Sequence, residues 1–227
     1  MFIANVPVYN SNLTESKKKI FDDVKARLES MGLTAKTFSI ASDEYMAGHE
    51  ANMEDHIRFD LNPVLTAAYP GRKITAEHLE DEEKSIVLYS EDKAVACLTL
   101  AFVQARDSKP RFGVLTRFEA VHPAMRFKGI GRLLFDCAEC VVMAGVADPV
   151  FQHSESKIQM VCMCDEDDPS QSAFARKLGF KVSTSEWGED LHETAFEKEL
   201  ADYSELERPE CAPSTAEFGV GRTGSEA

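Results

Sequence analysis

Long apolar runs are missing from this sequence. The longest, such as Ala94 to Val103, reach about ten residues against the roughly 20 that a membrane-spanning helix needs, so no helical span is expected. The first residues, Met1 to Asn10, lack a basic start, a sustained apolar stretch and a small-residue cleavage site, which argues against a secretory leader. Bases are short relative to acids, 25 against 39, giving a formal charge of -14. That balance repels nucleic-acid phosphates unless the bases gather in one patch, and favours basic or cationic partners. Paired metal knuckles are absent too: Cys137/Cys140 and Cys162/Cys164 do not reproduce the spacing of a structural zinc site, so no metal is expected. Six cysteines without an export signal read as reduced, buried thiols in the cytoplasm or nucleus. No internal repeat is visible.

What is present is an ordinary globular composition. The chain has 227 residues, 44% hydrophobic and 28% charged, enough for one sizeable domain with embellishments or two small ones. Ile20, Val24, Leu28 and Met31 recur at helical spacing before Gly32 and predict an amphipathic helix over Thr14 to Met31. A short strand over Lys36 to Ile40, a polar helix from about Ser42 to Phe59 and a short helix over Leu61 to Tyr69 follow, the last ending at Pro70-Gly71. Ser85 to Ser90 and Ala94 to Val103 predict a hairpin around Glu91-Asp92-Lys93, and Arg111 to Val121 a third strand. A helix then carries Leu133, Leu134, Cys137, Ala138, Val141, Val142 and Gly145 on one face. Further strands are expected over Lys157 to Asp165, Phe180 to Ser183 and Thr194 to Leu200, with a helix over Ser170 to Leu178. Strand, helix and strand in this order imply a right-handed crossover between parallel strands.

The informative stretch runs from Glu119 to Leu134, where an apolar strand passes through a short loop into Arg126-Phe127-Lys128-Gly129-Ile130-Gly131 and a helix. Free N-H groups and the positive dipole end at a helix start attract anions, and glycines let a phosphate approach the backbone. The same glycines would also serve a tight turn that binds nothing. Neither the dinucleotide pattern, Gly-x-Gly-x-x-Gly with a later acid, nor the nucleotide pattern ending in Gly-Lys-Ser/Thr fits.

The segment resembles instead the Arg/Gln-x-x-Gly-x-Gly/Ala pyrophosphate motif of the GCN5-related N-acetyltransferases. Val121-His122-Pro123 resembles that family's strand exit, and Ala173 to Phe180, ending in Leu178-Gly179-Phe180, resembles its later helix and turn, about 45 residues on. The resemblance covers residues 35–200. It implies an α/β fold with a central mixed β-sheet of about six to seven strands flanked by helices on both faces. It also implies acetyl-CoA as cosubstrate, with the pyrophosphate on Phe127, Lys128, Gly129, Ile130, Gly131 and Arg132, Arg126 as a cofactor-binding residue of the motif whose alternative is a solvated loop charge, and Lys128 and Arg132 lending positive charge. Ala120 and Val121 would then lie along the pantetheine, and Phe174 beside the cofactor. Residues 1–34 form an N-terminal helical extension on this reading, and residues 201–227 a disordered acidic tail, Pro-, Gly- and Ser-rich without apolar periodicity.

Acyl transfer to an amine needs the nitrogen deprotonated, and an amine with a pKa near 10.4 therefore needs a base. Strand alternation sets Leu115, Arg117, Glu119 and Val121 on the less apolar face, and Glu119 is the candidate general base; a pair with Arg117 or a solvated carboxylate is its structural alternative. Glu91, Tyr89 or an acid between Asp43 and Asp55 could act through water. In many relatives a tyrosine precedes the Lys-Leu-Gly-Phe turn as the acid, and here that place is Ala175. Ser170 and Ser172 read as helix caps, His122 as a loop residue, and His49 and His56 as a solvated helix face. No cysteine stands where the motif would make it a nucleophile, so direct transfer in a ternary complex is expected. The acids of Asp43 to Asp55 suit a cationic amine acceptor, polyamine-like or a lysine or N-terminal peptide, as readily as they suit solubility. A CoA-binding module without catalysis and an acidic protein-interaction domain are the rival readings, and monomer or homodimer stays open.

Overall fold

The computed structural model describes residues 15–39, 50–79, 83–104, 112–145, 158–165, 167–184, 187 and 193–201. Its strands are β1 (Leu33–Ser39), β2 (Lys84–Ser90), β3 (Lys93–Gln104), β4 (Phe112–Val121), β5 (Ile158–Asp165), β6 (Lys181–Val182) and β7 (Glu193–Ala201). Its α-helices are α1 (Glu15–Ser30), α2 (Glu50–His56), α3 (Asn62–Ala68), α4 (Ile130–Gly145) and α5 (Pro169–Lys177). The strands make one sheet in the order β1-β2-β3-β4-β5-β7-β6. Every neighbouring pair is antiparallel except β4 and β5, which are parallel and joined through α4. The expected mixed sheet and its crossover are both there.

Side-chain alternation divides the helices between two faces. On one face Ile86, Leu88, Leu98, Leu100, Val114 and Met160 meet Phe21, Val24 and Leu28 of α1, the apolar stripe of α4, and Ala175 and Leu178 at the end of α5. On the other, Val87, Tyr89, Cys97 and Ala120 meet Ile57, Leu61, Val64 and Leu65. The first helix thus shares the main core, and Arg27 fastens it to Asp136 of α4. A third, smaller cluster forms where Trp187 lies on Val161 with Leu115, Met163 and Ala195 around it. Cys97, Cys137, Cys140, Cys162 and Cys164 are all buried free thiols, as expected.

Two local readings change. The polar helix expected to reach Phe59 stops at His56 and continues as a π turn over Ile57–Leu61, with Asn62 N-H donating to the Ile57 carbonyl. Pro63, in the first turn of α3, has no N-H to give Phe59, so the ladder cannot keep its ordinary register there. The cap of α5 is Asp168, whose carboxylate accepts from Ser170 N-H at 2.9 Å and from its hydroxyl, whereas Ser172 turns back to the Pro169 carbonyl. Residues 40–49 and the segment from 202 onward, including Asp43, Glu44 and His49, lie outside the described residues. Among the described residues no helix is long and apolar enough to cross a membrane, and no group of three metal-ligating side chains forms.

Candidate functional site

The geometry of the end of β4 departs from simple alternation. Cys97 pairs with Ala120 but Thr99 pairs with Arg117, so Leu98 alone faces both Phe118 and Glu119. This is a β-bulge, and Phe118 takes a left-handed φ of 53° to make it. The extra residue sends Arg117 and Phe118 to the same side, where the guanidinium lies 5.0 Å from the Phe118 ring centre. It turns Glu119 to the side of Thr116, whose hydroxyl donates to Oε1 at 2.6 Å. Glu119 therefore sits on the face of Val114 and Thr116 rather than on the expected face of Arg117. Burial pushes its carboxyl above the ordinary range, against the Thr116 hydrogen bond and the charge of Arg72, which pull it down.

Arg117 does not pair with Glu119. Its guanidinium holds the buried Glu83 at 2.8 Å and the His78 carbonyl at 3.1 Å.

β4 and β5 pair only from Gly113↔Gln159 to Thr116↔Cys162, although both strands run on, to Val121 and Asp165. Past Thr116 they part, and Glu119, Ala120 and Val121 border the opening on one side with Met163 and Cys164 on the other. Cys162 Sγ lies 3.9 Å from both Glu119 Oε1 and Cys164 Sγ. The hydrogen bond from Cys162 holds the Cys164 thiol below its ordinary pKa, against burial.

The glycine loop opens α4 beside that gap. The first helical bond runs from Leu133 N-H to the Gly129 carbonyl, so the N-H groups of Ile130, Gly131 and Arg132 have no carbonyl a turn earlier in the helix to meet. Gly129 has a φ of 81°, and no atom lies within 4 Å of where its Cβ would be. Phe127 is left-handed as well, at 62°, with its ring fully exposed. Lys128 and Arg132 are exposed. Gly131 is different: an added Cβ would sit 3.1 Å from Phe174 Cζ, so this glycine also makes room for a ring. Phe174 stands edge-on to Phe135 and brings α5 against the start of α4. Arg126 donates Nε to the Val121 carbonyl at 3.3 Å and Nη2 to the Ala68 carbonyl at 3.1 Å, which clamps the end of α3 to the end of β4.

That clamp places a pair which the sequence reading overlooked. Tyr69 and Arg72 follow Ala68 in a turn closed by Arg72 N-H to the Tyr69 carbonyl at 3.0 Å, with Gly71 at a φ of 87°. Pro70-Gly71 was the available signal for this turn. Burial, followed by the charge of Glu119, raises the Tyr69 phenol, while Arg126 and Arg72 oppose them.

The remaining candidates separate. Ala175, at the place where the sequence resemblance points to an acid, is buried in the main core. His122 caps the short turn Pro123–Met125, accepting from Ala124 N-H. Glu91 is exposed in the hairpin turn, at a φ of 56°. His56 is not solvated: it is buried, stacked on Phe38, and lies 2.6 Å from the Ser85 hydroxyl and 2.9 Å from Asp60. Tyr89 is buried in the second core and bonded to Asp60. A groove of about 570 Å³ on the outer side of α3, lined by Arg58, Lys73 and Ile57 among others, contains none of the loop or strand residues above.

No family model and no curated protein matches the chain. Solved structures do. The Escherichia coli ribosomal-protein-S18-alanine N-acetyltransferase is 13% identical over 74% of this chain and 95% of its own, with a TM-score of 0.45. A Bacillus subtilis acetyltransferase in complex with CoA is 15% identical over 74% and 99%, at 0.45. An acyl-CoA N-acyltransferase from Pseudomonas aeruginosa is 14% identical over 73% and 99%, at 0.47.

Proposed function

We propose that the protein is an acetyl-CoA-dependent N-acyltransferase that passes an acetyl group directly to an amine while both substrates are bound. The observation that carries this reading is the parting of β4 from β5 beyond Thr116 and Cys162, with the half-buried Glu119 carboxylate bordering the gap and an open helix start beside it. Acetyl-CoA supplies an activated acyl group. The loop suits its pyrophosphate, since the space at Gly129 is clear and the first N-H groups of α4 lack helical partners. On this reading Phe127 to Arg132 receive the pyrophosphate, with Lys128 and Arg132 adding positive charge. Ala120 and Val121 offer backbone to the pantetheine arm, and Phe174 closes the other wall. Arg126 works at one remove, holding Val121 and Ala68 in place. Glu119 takes a proton from the acceptor's ammonium, its raised pKa making it a stronger base than an exposed carboxylate.

The test is thermal unfolding of wild type and Gly129→Asp with acetyl-CoA, CoA and ATP. A ligand at 100 times its Kd adds about 2.7 kcal/mol of stability. Stabilisation by both CoA species, lost in the variant and absent with ATP, is the expected result; no shift with either overturns the reading. A second reading, CoA binding without catalysis, draws on one observation, the buried Ala175 at the place where many members of the resembled family carry a tyrosine. CoA stabilisation without thiol release from acetyl-CoA in the presence of any amine would favour it.

A further inference from the structure

An arginine, Arg72, acts on the Glu119 carboxylate, although the chain is strongly acidic. Arg126 ties the Ala68 carbonyl to the Val121 carbonyl, two residues past Glu119, and so brings the turn that follows α3 to the end of β4. That turn presents Tyr69 and Arg72 together, with the Arg72 guanidinium carbon 5.7 Å from the Tyr69 ring centre. Both side chains are exposed. The guanidinium of Arg126 is committed to two carbonyls, that of Arg117 to Glu83 and His78, and that of Arg27 to Asp136. Among the described residues Arg72 has no ion pair. The nearby acid, Asp168, is taken up by the first turn of α5 through Ser170. An arginine in the turn that this clamp holds at the end of β4, its fork unpaired with any acid among the described residues, is a receptor for a carboxylate or phosphate.

We propose that the acceptor is an amine that carries an anionic group close to its nitrogen, as an amino acid does, and that Arg72 receives that group while Glu119 faces the nitrogen. Tyr69 forms the wall between them. This inference rests on the acyltransferase reading above and narrows its acceptor. The acids described on α2, Glu54 and Asp55, are exposed on the helix surface, so their charge is spent largely on solvent.

The experiment compares matched acceptors with the full-length chain, following thiol release from acetyl-CoA. Free L-amino acids are set against their carboxamides, and phosphoethanolamine against ethanolamine. The variants are Arg72→Ala and Arg72→Lys, each checked for thermal stabilisation by CoA. Wild type is expected to favour the anionic member of each pair in kcat/KM by about tenfold or more, the ratio that one charge-assisted hydrogen bond supplies. Arg72→Ala should remove that preference by raising KM for the anionic member alone, with KM for the neutral member and CoA stabilisation unchanged, and Arg72→Lys should restore part of it. Equal use of both members by wild type, or an equal loss on both in Arg72→Ala, overturns the inference. Thiol release with neutral or cationic amines only would overturn it while leaving the acyltransferase reading standing. CoA stabilisation with no release from any amine overturns both the inference and the transfer reading. The comparison of carboxylates with phosphates decides which anion the site prefers.

Discussion

Glu119 accepts a hydrogen bond from the Thr116 hydroxyl at 2.6 Å, although the two stand an odd number of residues apart on one strand. In a regular strand they would point to opposite faces; the bulge at Phe118 brings them together. Replacing Glu119 by Gln keeps an acceptor for Thr116 and removes the base. We expect kcat/KM to fall by about 10²- to 10⁴-fold. In wild type the rate should rise with pH through a titration above the ordinary carboxylate value, because the base must be ionised, and Glu119→Gln should lose that limb. Stability should move the other way. A carboxyl whose pKa is raised by folding binds its proton more tightly in the native chain, so stability falls as pH rises from the unfolded to the folded value. At neutral pH Glu119→Gln should melt no lower than wild type; a marked drop would mean that the carboxylate holds the strand together instead.

The two motif glycines should fail for different reasons. Gly129→Ala has room but must accept a left-handed backbone, at a cost of about 1 to 2 kcal/mol. Gly131→Ala instead makes the exposed Phe174 ring give by a few tenths of an ångström, a cost that the better helix propensity of alanine partly offsets. Adding Phe174→Leu should recover stability in the second and not in the first, as urea titration would read.

Arg117→Ala leaves the Glu83 carboxylate buried without its guanidinium, and should cost about 3 to 5 kcal/mol. Pairing it with Glu83→Gln should return a substantial part of that loss. An unchanged melting temperature for Arg117→Ala would count against the pair as a structural tie.

Asp60 offers a pH test at the other face. Burial works to raise its carboxyl, yet hydrogen bonds with His56 and Tyr89 hold it below its ordinary value. A depressed carboxyl stabilises the fold above its unfolded value and loses that contribution as pH falls toward the folded one. Asp60→Asn should therefore flatten the decline in stability below about pH 4. Parallel acid titrations of wild type and variant would instead place the network's contribution elsewhere.

Elements with a strong repeat were legible from the sequence. α4 shows its i, i+3, i+4 face openly, and β2 and β3 are apolar, β-rich runs parted by a polar turn, so helix, hairpin and crossover were all expected. The glycine loop was legible because its residue types restrict the backbone directly. The bulge was not, since an extra residue in a strand leaves no trace in composition and shifts the face of every residue after it; hence the misplacement of Glu119. Asp168 displaced Ser170 as cap because an ionised oxygen is the better acceptor at a helix start. His56 was misread because polar neighbours in sequence do not disclose that Ser85 and Phe38 close over it from the sheet. Tyr69 and Arg72 depend on a clamp made 58 residues away in the chain by Arg126, which no local pattern could signal.

Trp187 is the chain's single tryptophan. Its ring lies where a Cβ on Gly113 would stand, 2.8 Å from Cζ3, against Val161, the partner of Leu115 on the neighbouring parallel strand. The Gly113 to Thr116 ladder is the stem from which the gap opens, so the intrinsic fluorophore is built into the hinge of that fork. Emission excited at the indole band thus reports on one locus of the fold, and a molecule that spreads β4 from β5 at the far end can be followed by light without any label.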